Sequence, residues 1–213
     1  MDGTEVAVRS VETVGPDTVA LTLGTPDDFD AQPGQFLKLV FEIGEQTHPR
    51  FYTISSPRVG GTFETTVGID PEGDVSPRLT ALEPGDSITV AGPFGSAYYE
   101  ADSRSVILAG GPGVGPAVGI AERALADGNE AAIVYRDDEP MHEERLDDLR
   151  ERGAFVRVLG EDETLTDAAS EAITCADGEQ VFVYGFADFL SAATDAIGAA
   201  GGAPDEAKME NFG

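Results

Sequence analysis

The apolar residues of the first hundred positions fall into short alternating runs that are separated by turn signals. Val, Thr, Ile, Phe and Tyr dominate the runs, and Gly-Pro, Thr-Pro and Pro-Gly pairs bound them. Six strands at this spacing predict a small antiparallel six-stranded β-barrel. A short helix is predicted over 76–82, with Ser76 as N-cap and Pro77 in the first helical position. The predicted strands are Glu5–Val14, Thr18–Gly24, Gln35–Glu42, Arg50–Ser56, Thr62–Ile69 and Asp86–Ala91.

The pattern changes after Asp102, where continuous apolar runs alternate with helical ones. Runs such as 106–109 and 181–183 are typical of strands buried on both faces. Four such units predict an α/β fold, a parallel sheet with helices on both faces. The predicted units pair Ser105–Ala109 with Gly115–Ala126, Ala131–Tyr135 with His142–Arg152, Phe155–Leu159 with Thr166–Ile173, and Val181–Tyr184 with Phe189–Ala199.

Composition excludes several classes of protein and adds one hypothesis. No apolar run reaches the length of a membrane span and the first residues lack a signal-peptide pattern, so we expect a cytoplasmic protein. The net charge of −27 disfavours binding to nucleic acid or to anionic membranes. Self-repulsion at this charge is screened in strong salt, so we hypothesise a halophilic cytoplasm. A merely acidic mesophilic protein is the alternative.

Cysteine and histidine are too scarce to suggest a metal centre. The single cysteine, Cys175, excludes an internal disulfide, a four-cysteine iron–sulfur cluster and a cysteine-rich zinc site. His48 and His142 lie far apart in the sequence without neighbouring ligands, and we expect both on the surface. Redox chemistry would therefore come from an organic cofactor or a partner.

The most informative local segment is Arg50-Phe51-Tyr52-Thr53-Ile54-Ser55-Ser56. Side chains alternate along a strand, so Arg50 and Tyr52 share one face. A cation beside a flat ring suits a ligand that carries both a phosphate and a planar heterocycle. From spacing alone, an ordinary half-buried strand with a surface arginine is the better explanation.

A glycine-rich loop follows the first continuous apolar strand. Gly110, Gly111 and Gly113 lie between that strand and a helix that begins near Pro116. Glycines let a backbone approach a pyrophosphate, and a helix N-terminus supplies N–H donors. A plain glycine-rich turn is the alternative, but the strand–loop–helix context favours a nucleotide loop.

These segments resemble, in order, the motifs of the ferredoxin–NADP⁺ reductase superfamily of flavoproteins. The run 50–56 is similar to its Arg-x-Tyr-Ser/Thr-x-x-Ser motif. The resemblance implies bound FAD, with Arg50 on the phosphates and Tyr52 stacked on the isoalloxazine. It also implies that Thr53 lies near flavin N5 and that Ser56 supports the flavin.

A second motif of the superfamily, Gly-x-x-Ser/Thr-x-x-Leu, is matched at 73–79. The resemblance implies that Gly73, Val75 and Ser76 bind the FAD pyrophosphate at the start of the short helix. Free N–H groups and the dipole at a helix N-terminus favour the same contact. A plain N-cap at Ser76 is the alternative.

The resemblance extends to the second half of the chain. Gly110, Gly111, Gly113 and Pro116 are similar to the nicotinamide loop Gly-Gly-x-Gly-x-x-Pro, which implies NAD(P)H as substrate. We therefore expect an FAD-binding barrel over 1–102 and an NAD(P)-binding α/β domain over 103–213.

The preference between the two nicotinamides stays open. Arg136 would suit a 2′-phosphate, whereas the acid that follows it would suit a free 2′-hydroxyl. Near the end of the chain, Glu210 and Phe212 resemble a Glu-x-Phe pair that lies close to the flavin. The resemblance implies that Glu210 assists proton handling.

One segment departs from the superfamily pattern. Tyr-x-Cys-Gly-Pro is replaced by a run in which Tyr184 takes the cysteine position, Gly185 is kept and Phe186 takes the proline position. We expect Tyr184 and Gly185 at the nicotinamide, where a tyrosine would either block entry of the ring or stack on it.

The resemblance implies electron transfer between NAD(P)H and a carrier such as ferredoxin through FAD, with Tyr52, Thr53 and Glu210 as catalytic residues. The alternative is a partner-dependent flavin electron-transfer subunit that does not itself use NAD(P)H, and Tyr184 is its motivation. A third hypothesis is a nucleotide-binding regulatory module without catalysis.

Overall fold

The computed structural model describes residues 3–160 and 163–213, and its first sheet is antiparallel with six strands. The strands are β1 Thr4–Gly15, β2 Thr18–Gly24, β3 Phe36–Ile43, β4 Gln46–Thr53, β5 Thr62–Gly68 and β6 Ser87–Phe94. They are ordered β4-β3-β6-β1-β2-β5 in the sheet. Alternate positions turn inward, so Leu37, Leu39 and Phe41 of β3 are buried in the barrel core.

The barrel closes where the chain leaves β4. Ile54 forms an antiparallel bridge with Thr65 of β5, and the Ser55 N–H donates to the Glu64 carbonyl at 2.8 Å. These contacts join the two edge strands of the ladder. They also hold the 55–56 segment against β5, close to the rest of the Arg50–Ser56 run.

Two predictions in this half need correction. Strand β4 begins at Gln46 and ends at Thr53, because the Ile43–Gln46 pair forms a tight hairpin that brings Pro49 into an edge strand, where proline is tolerated. The helix α1 spans only Ser76–Leu79, and Val75 rather than Ser76 is its N-cap. The Ser76 hydroxyl donates to the Asp70 carbonyl instead of capping the helix.

The second sheet is parallel, as the alternating strand and helix patterns predict. Its order is β11-β10-β7-β8-β9, and every pairing is parallel. The strands are β7 Arg104–Gly110, β8 Glu130–Arg136, β9 Phe155–Leu159, β10 Glu179–Gly185 and β11 Lys208–Asn211, and the helices are α2 Val114–Ala126, α3 Glu143–Glu151, α4 Leu165–Ala172 and α5 Ala187–Ala199.

Helices cover both faces of the parallel sheet. Ile107 and Ile133 pack with residues of α2 and α3 on one face, whereas Leu108 and Val134 pack with residues of α4 and α5 on the other. This alternation explains why β7 and β8 are continuous apolar runs. In the described ranges, no helix is both long enough and apolar enough to cross a membrane.

Helix α2 packs closely on the barrel through two glycines. A Cβ atom at Gly115 would lie 2.5 Å from Thr66 Oγ1, and one at Gly119 would lie 2.6 Å from the Ser55 carbonyl oxygen. Any larger side chain would therefore push the helix away from the barrel. The carboxyl ends of the parallel strands consequently face the barrel at short range.

Candidate active site

A cleft of about 180 Å³ lies between the barrel and the carboxyl ends of the parallel strands. In open parallel sheets, ligands bind at this end of the strands. The lining residues, which define the cleft below, are Phe51, Tyr52, Thr53, Thr66 and Gly68 on the barrel side and Pro112, Pro116, Phe186 and Phe212 on the parallel-sheet side.

Exposed aromatic rings stand on both walls of this cleft. Phe51 is 61% exposed and Phe186 is 52% exposed, and these are the large hydrophobic side chains that the described residues leave open to solvent. Phe186 packs edge-to-face on Phe212, with ring centroids 6.1 Å apart. Exposed aromatic groups concentrated in a concave site favour a planar apolar ligand.

Tyr52 lines the barrel wall of the cleft, and Arg50 lies close enough for its charge to act on the Tyr52 phenol. Burial raises the pKa of the Tyr52 phenol to about 12, and the nearby Arg50 charge only partly opposes this shift. The phenol is therefore a neutral hydrogen-bond donor at physiological pH. Arg50 donates to the Pro49 carbonyl at 2.9 Å, and no described carboxylate lies within ion-pair distance of it. Because the chain has 40 acidic residues, this unpaired guanidinium is well suited to an anionic ligand.

Thr53 and Glu210 join the two walls. The Thr53 hydroxyl donates to Glu210 Oε1 at 2.6 Å, which ties β4 to β11 across 157 positions of sequence. Burial raises the pKa of Glu210 to about 7, and the hydrogen bond from Thr53 partly lowers it. A carboxyl group that gains or loses its proton near neutral pH thus lies beside Thr53.

The glycines of the predicted nucleotide loop serve different purposes. A Cβ atom at Gly110 would lie 2.5 Å from the Phe189 ring, and one at Gly113 would lie 2.2 Å from the Tyr184 carbonyl oxygen. Close protein packing therefore explains both of these glycines. Gly111 has a φ of +55° and open space around it, and it precedes the cleft residues Pro112 and Pro116.

Tyr184 does not line the cleft, in contrast to the expectation for this position. Its side chain is fully buried, and its hydroxyl donates to the Ala97 carbonyl in the segment that joins the two sheets. The ring therefore neither blocks the cleft nor is available to stack on a ligand there. Gly185 packs under the Phe189 ring, and Phe186 is the residue of this run that reaches the cleft.

The remaining predicted residues lie away from the cleft lining. Ser56 Oγ accepts from the Glu64 N–H at 3.1 Å, next to the barrel closure. The Gly73 N–H donates to the Asp70 carbonyl, in the turn that also holds Ser76. The structure thus places Gly73 in a compact turn, Val75 at the N-cap of α1 and Ser76 at its first position, and their contact with pyrophosphate stays a prediction.

The segment after β8 leaves the nucleotide preference open. Arg136 donates to the Glu163 carbonyl at 2.7 Å. The Asp137 carboxylate accepts from the Tyr135 hydroxyl at 2.9 Å and from the Glu139 N–H at 3.0 Å. Arg136 and Asp137, the two residues that could distinguish NADPH from NADH, therefore both form hydrogen bonds within the protein.

His142 is buried, so the expectation of a surface histidine is wrong. Only 4% of the residue is exposed, and Nε2 lies 2.8 Å from Oγ1 of the cleft residue Thr66. Burial, aided by the charge of Arg145, lowers the pKa of His142 to about 3. Its position depends on the contact between α3 and the barrel, which no local sequence pattern reveals. Among the residues described, no three His, Cys, Asp or Glu side chains are placed to hold a metal ion.

Comparisons with known proteins agree with this geometry. Residues 5–99 match the family described as "Oxidoreductase FAD-binding domain". The matched residues span the six strands of the barrel. A ferredoxin NADP⁺ reductase from Neisseria gonorrhoeae, solved with bound FAD and NADP, superposes with a TM-score of 0.81 at 18% identity over 100% of both chains. The fold of the whole chain is therefore that of ferredoxin reductase-like proteins.

Two curated relatives resemble part of the chain. The probable dihydroorotate dehydrogenase B electron transfer subunit of Methanopyrus kandleri is 37% identical over 106 residues, which cover 50% of this chain and 38% of the relative. The toluate 1,2-dioxygenase electron transfer component of Pseudomonas putida is 31% identical over 132 residues, covering 60% of this chain and 39% of the relative. The chain thus spans well under half the length of these relatives.

Proposed function

We propose that this chain is an FAD-dependent oxidoreductase that passes electrons between NAD(P)H and a carrier protein such as ferredoxin. The observation that carries the proposal is the FAD-binding match of the barrel, which forms one wall of the aromatic cleft. In this proposal, residues 1–102 bind FAD and residues 103–213 bind the nicotinamide nucleotide. The two sheets share no strand and meet at the cleft, which supports the division.

The residues present fit the proposed cofactor. Arg50, which has no ion-pair partner among the described residues, offers a cation for a phosphate group, and Tyr52 offers a flat ring on the barrel wall. Phe186 and Phe212 form the opposite aromatic wall, and the backbone around Gly111 is open to a nucleotide. FAD, when bound, supplies reversible two-electron and one-electron chemistry that no side chain can provide.

Thr53 and Glu210 are the proposed proton-handling pair. Their 2.6 Å hydrogen bond orients the Glu210 carboxyl group, and burial keeps its pKa near 7. A group with this pKa can hold or release a proton at physiological pH, which is the requirement for a general acid or base. Tyr52, with its raised pKa, stays protonated and serves as a donor.

The second candidate is an electron-transfer subunit that works only with a partner enzyme. The two relatives described above are themselves electron-transfer components, which favours this candidate. The Tyr184 replacement no longer supports it, because that side chain is buried beneath Ala97 and leaves the cleft open.

An anaerobic visible spectrum of the purified protein, recorded before and after adding NADPH and then NADH, tests these proposals. We expect a yellow protein that bleaches, and the faster nucleotide identifies the preference. A yellow protein that both nucleotides leave oxidised would favour the partner-dependent subunit. Binding of nucleotide without flavin, and without turnover of artificial acceptors, would favour a regulatory module instead.

Replacing Arg50 with alanine is expected to weaken FAD retention by about tenfold or more, because a charge-assisted phosphate contact contributes about 1.5–3 kcal/mol. The measurement is the FAD-to-protein ratio after dialysis against graded FAD concentrations. Arg58→Ala is the matched control, since Arg58 is exposed and lies 4.0 Å from its ion-pair partner Asp127. Equal flavin content in both variants would refute the role given to Arg50.

We further propose a halophilic cytoplasmic setting, which the −27 net charge and the two lysines support. Transfer from molar KCl to dilute buffer is expected to lower the melting temperature by about 5 °C or more, because the Debye length rises from about 3 Å to about 30 Å. Melting temperatures measured in sodium sulfate at the same ionic strengths are the control. Screening of charge depends on ionic strength, whereas salting-out depends on the kind of salt. Equal melting temperatures in dilute buffer and molar KCl would exclude the hypothesis.

A further inference from the structure

A half-buried cluster of charged groups outside the cleft joins the helices to the barrel. Its centre is Arg145 of α3, whose Nε and Nη2 donate to the two carboxylate oxygens of Glu122 at 2.7 and 2.8 Å. Arg145 Nη1 donates to Glu64 Oε1 at 2.8 Å, and Nη2 also donates to the Ser55 carbonyl at 2.8 Å. One guanidinium therefore binds helix α2, strand β5 and the segment that closes the barrel.

The barrel side of this cluster is itself cross-linked. Glu64 Oε1 also accepts from the Ser55 hydroxyl at 2.7 Å. Thr66, two residues further along β5 and on the same face, makes the 2.8 Å contact with His142 at the start of α3. Because Thr66 lines the cleft, the cluster lies directly behind one cleft wall.

The helix side of the cluster leads to the other wall. Helix α2, which carries Glu122, begins two residues after Pro112 and includes Pro116, and both prolines line the cleft. Gly115 and Gly119 of the same helix pack on Thr66 and Ser55. A displacement of α2 from β5 would therefore change the distance between Pro116 and Thr66, and with it the width of the cleft.

We propose that Arg145 is a positioning residue, one that fixes the separation of the two cleft walls without touching any ligand. This inference rests on the proposed function, in which flavin and nicotinamide bind on opposite walls. Transfer between two bound groups is sensitive to displacements of about 1 Å, which can lower a rate about a hundredfold. Binding of FAD to the barrel wall alone does not need the same precision.

The side chain must be arginine for this role. Its planar fork places donors in several fixed directions, whereas lysine presents one compact ammonium group. Lysine at this position keeps the charge opposite Glu64 and Glu122, but it cannot hold Glu122 through two donors and also reach the Ser55 carbonyl. Arg145→Lys is therefore a test of geometry at unchanged net charge.

The experiment compares Arg145→Lys with Arg150→Lys, a control on the same helix whose arginine forms an exposed ion pair with Asp147. The first readout is the rate of flavin reduction at saturating nucleotide in anaerobic stopped flow, together with the FAD-to-protein ratio. We expect Arg145→Lys to keep its FAD and to lose about tenfold or more in rate. We expect the control to match the parent protein in both quantities.

The second readout measures the separation of the two halves without any cofactor. Spin labels on the native exposed Cys175 and on an introduced cysteine, Glu45→Cys, report the distance distribution between the parallel-sheet half and the barrel. We expect a narrow distribution in the parent protein and a broader one in Arg145→Lys. A protein without flavin would defeat the proposed function, but these labels would still test the positioning role.

The proposal fails if Arg145→Lys keeps both the parental rate and the narrow distribution. It also fails if flavin is lost while the distribution stays narrow, since the residue would then act on binding alone. Should Arg145→Lys not fold, Glu122→Gln is the milder variant, because it keeps the side-chain shape and removes one charge. We expect it to slow reduction about threefold and to broaden the distribution in the same sense.

Discussion

Replacing His142 with asparagine is expected to lower the free energy of unfolding at pH 7.5. The decrease should be about 2 kcal/mol smaller at pH 5. The imidazole has a pKa of about 3 in the folded protein, against 6.5 in the unfolded chain. The folded pKa is the lower one, so the stability contributed by neutral His142 is present above pH 6.5. It is lost as the pH falls towards 3, because the unfolded chain binds the proton more tightly.

The asparagine variant removes this dependence together with the contact to Thr66. Asparagine suits the site because His142 has a φ of +55°, a left-handed conformation that asparagine tolerates. Urea unfolding at the two pH values gives the free energies, and His48→Asn, at the other histidine of the chain, is the control. A penalty that stays the same at both pH values would show that the imidazole titrates normally in the folded protein.

The strands and helices could be predicted well because local patterns determine them. The alternating run of β2 and the continuous apolar run of β7 match their predicted positions within a residue or so. One exception is β4, where the polar stretch before Arg50 has no strand-like pattern. Pairing with β3 through a tight hairpin forms that part of the strand, and pairing is a tertiary property.

The candidate site was predictable only where a motif places residues on a known wall. The resemblance implied that Thr53 and Glu210 each lie near the flavin, and the structure brings the two into hydrogen-bond contact although 157 positions separate them. Tyr184 shows the limit of that reasoning. A one-residue match to a motif position does not show which way the side chain points, and here packing under Ala97 turns the ring away from the cleft.

Arg145 and His142 had no signal in the sequence at all. Each is an ordinary polar residue at the start of an acidic helix, and such residues usually lie on a solvated face. The burial of His142 and the ion pairs of Arg145 follow from the contact between α3 and β5, whose partners are 76 to 81 positions away. Long-range contacts of this kind need the fold before they can be seen.

Replacing Glu210 with glutamine is expected to have the opposite pH dependence. Its pKa is about 7 in the folded protein and 4.5 without the protein environment, so the folded state binds the proton more tightly. The stability that protonated Glu210 contributes is fully present below pH 4.5 and is lost as the pH rises through 7. The free energy of unfolding of Glu210→Gln, relative to that of the parent protein, should therefore rise by about 2–3 kcal/mol between pH 5 and pH 8.

Glutamine is a close test of this carboxyl group because its amide oxygen can still accept the hydrogen bond from Thr53. Unfolding free energies of the apoprotein at pH 5, 6, 7 and 8 give the slope, and Glu206→Gln, on an exposed residue shortly before β11, is the control. If Glu210→Gln and the parent protein have parallel stability curves, the carboxyl group is ionised throughout this range and cannot hold a proton at neutral pH. We expect instead that the free energy of unfolding of the parent protein falls below that of Glu210→Gln as the pH rises and the buried carboxylate forms. The size of this fall measures the free-energy cost of an ionised Glu210 beside Thr53 in the apoprotein.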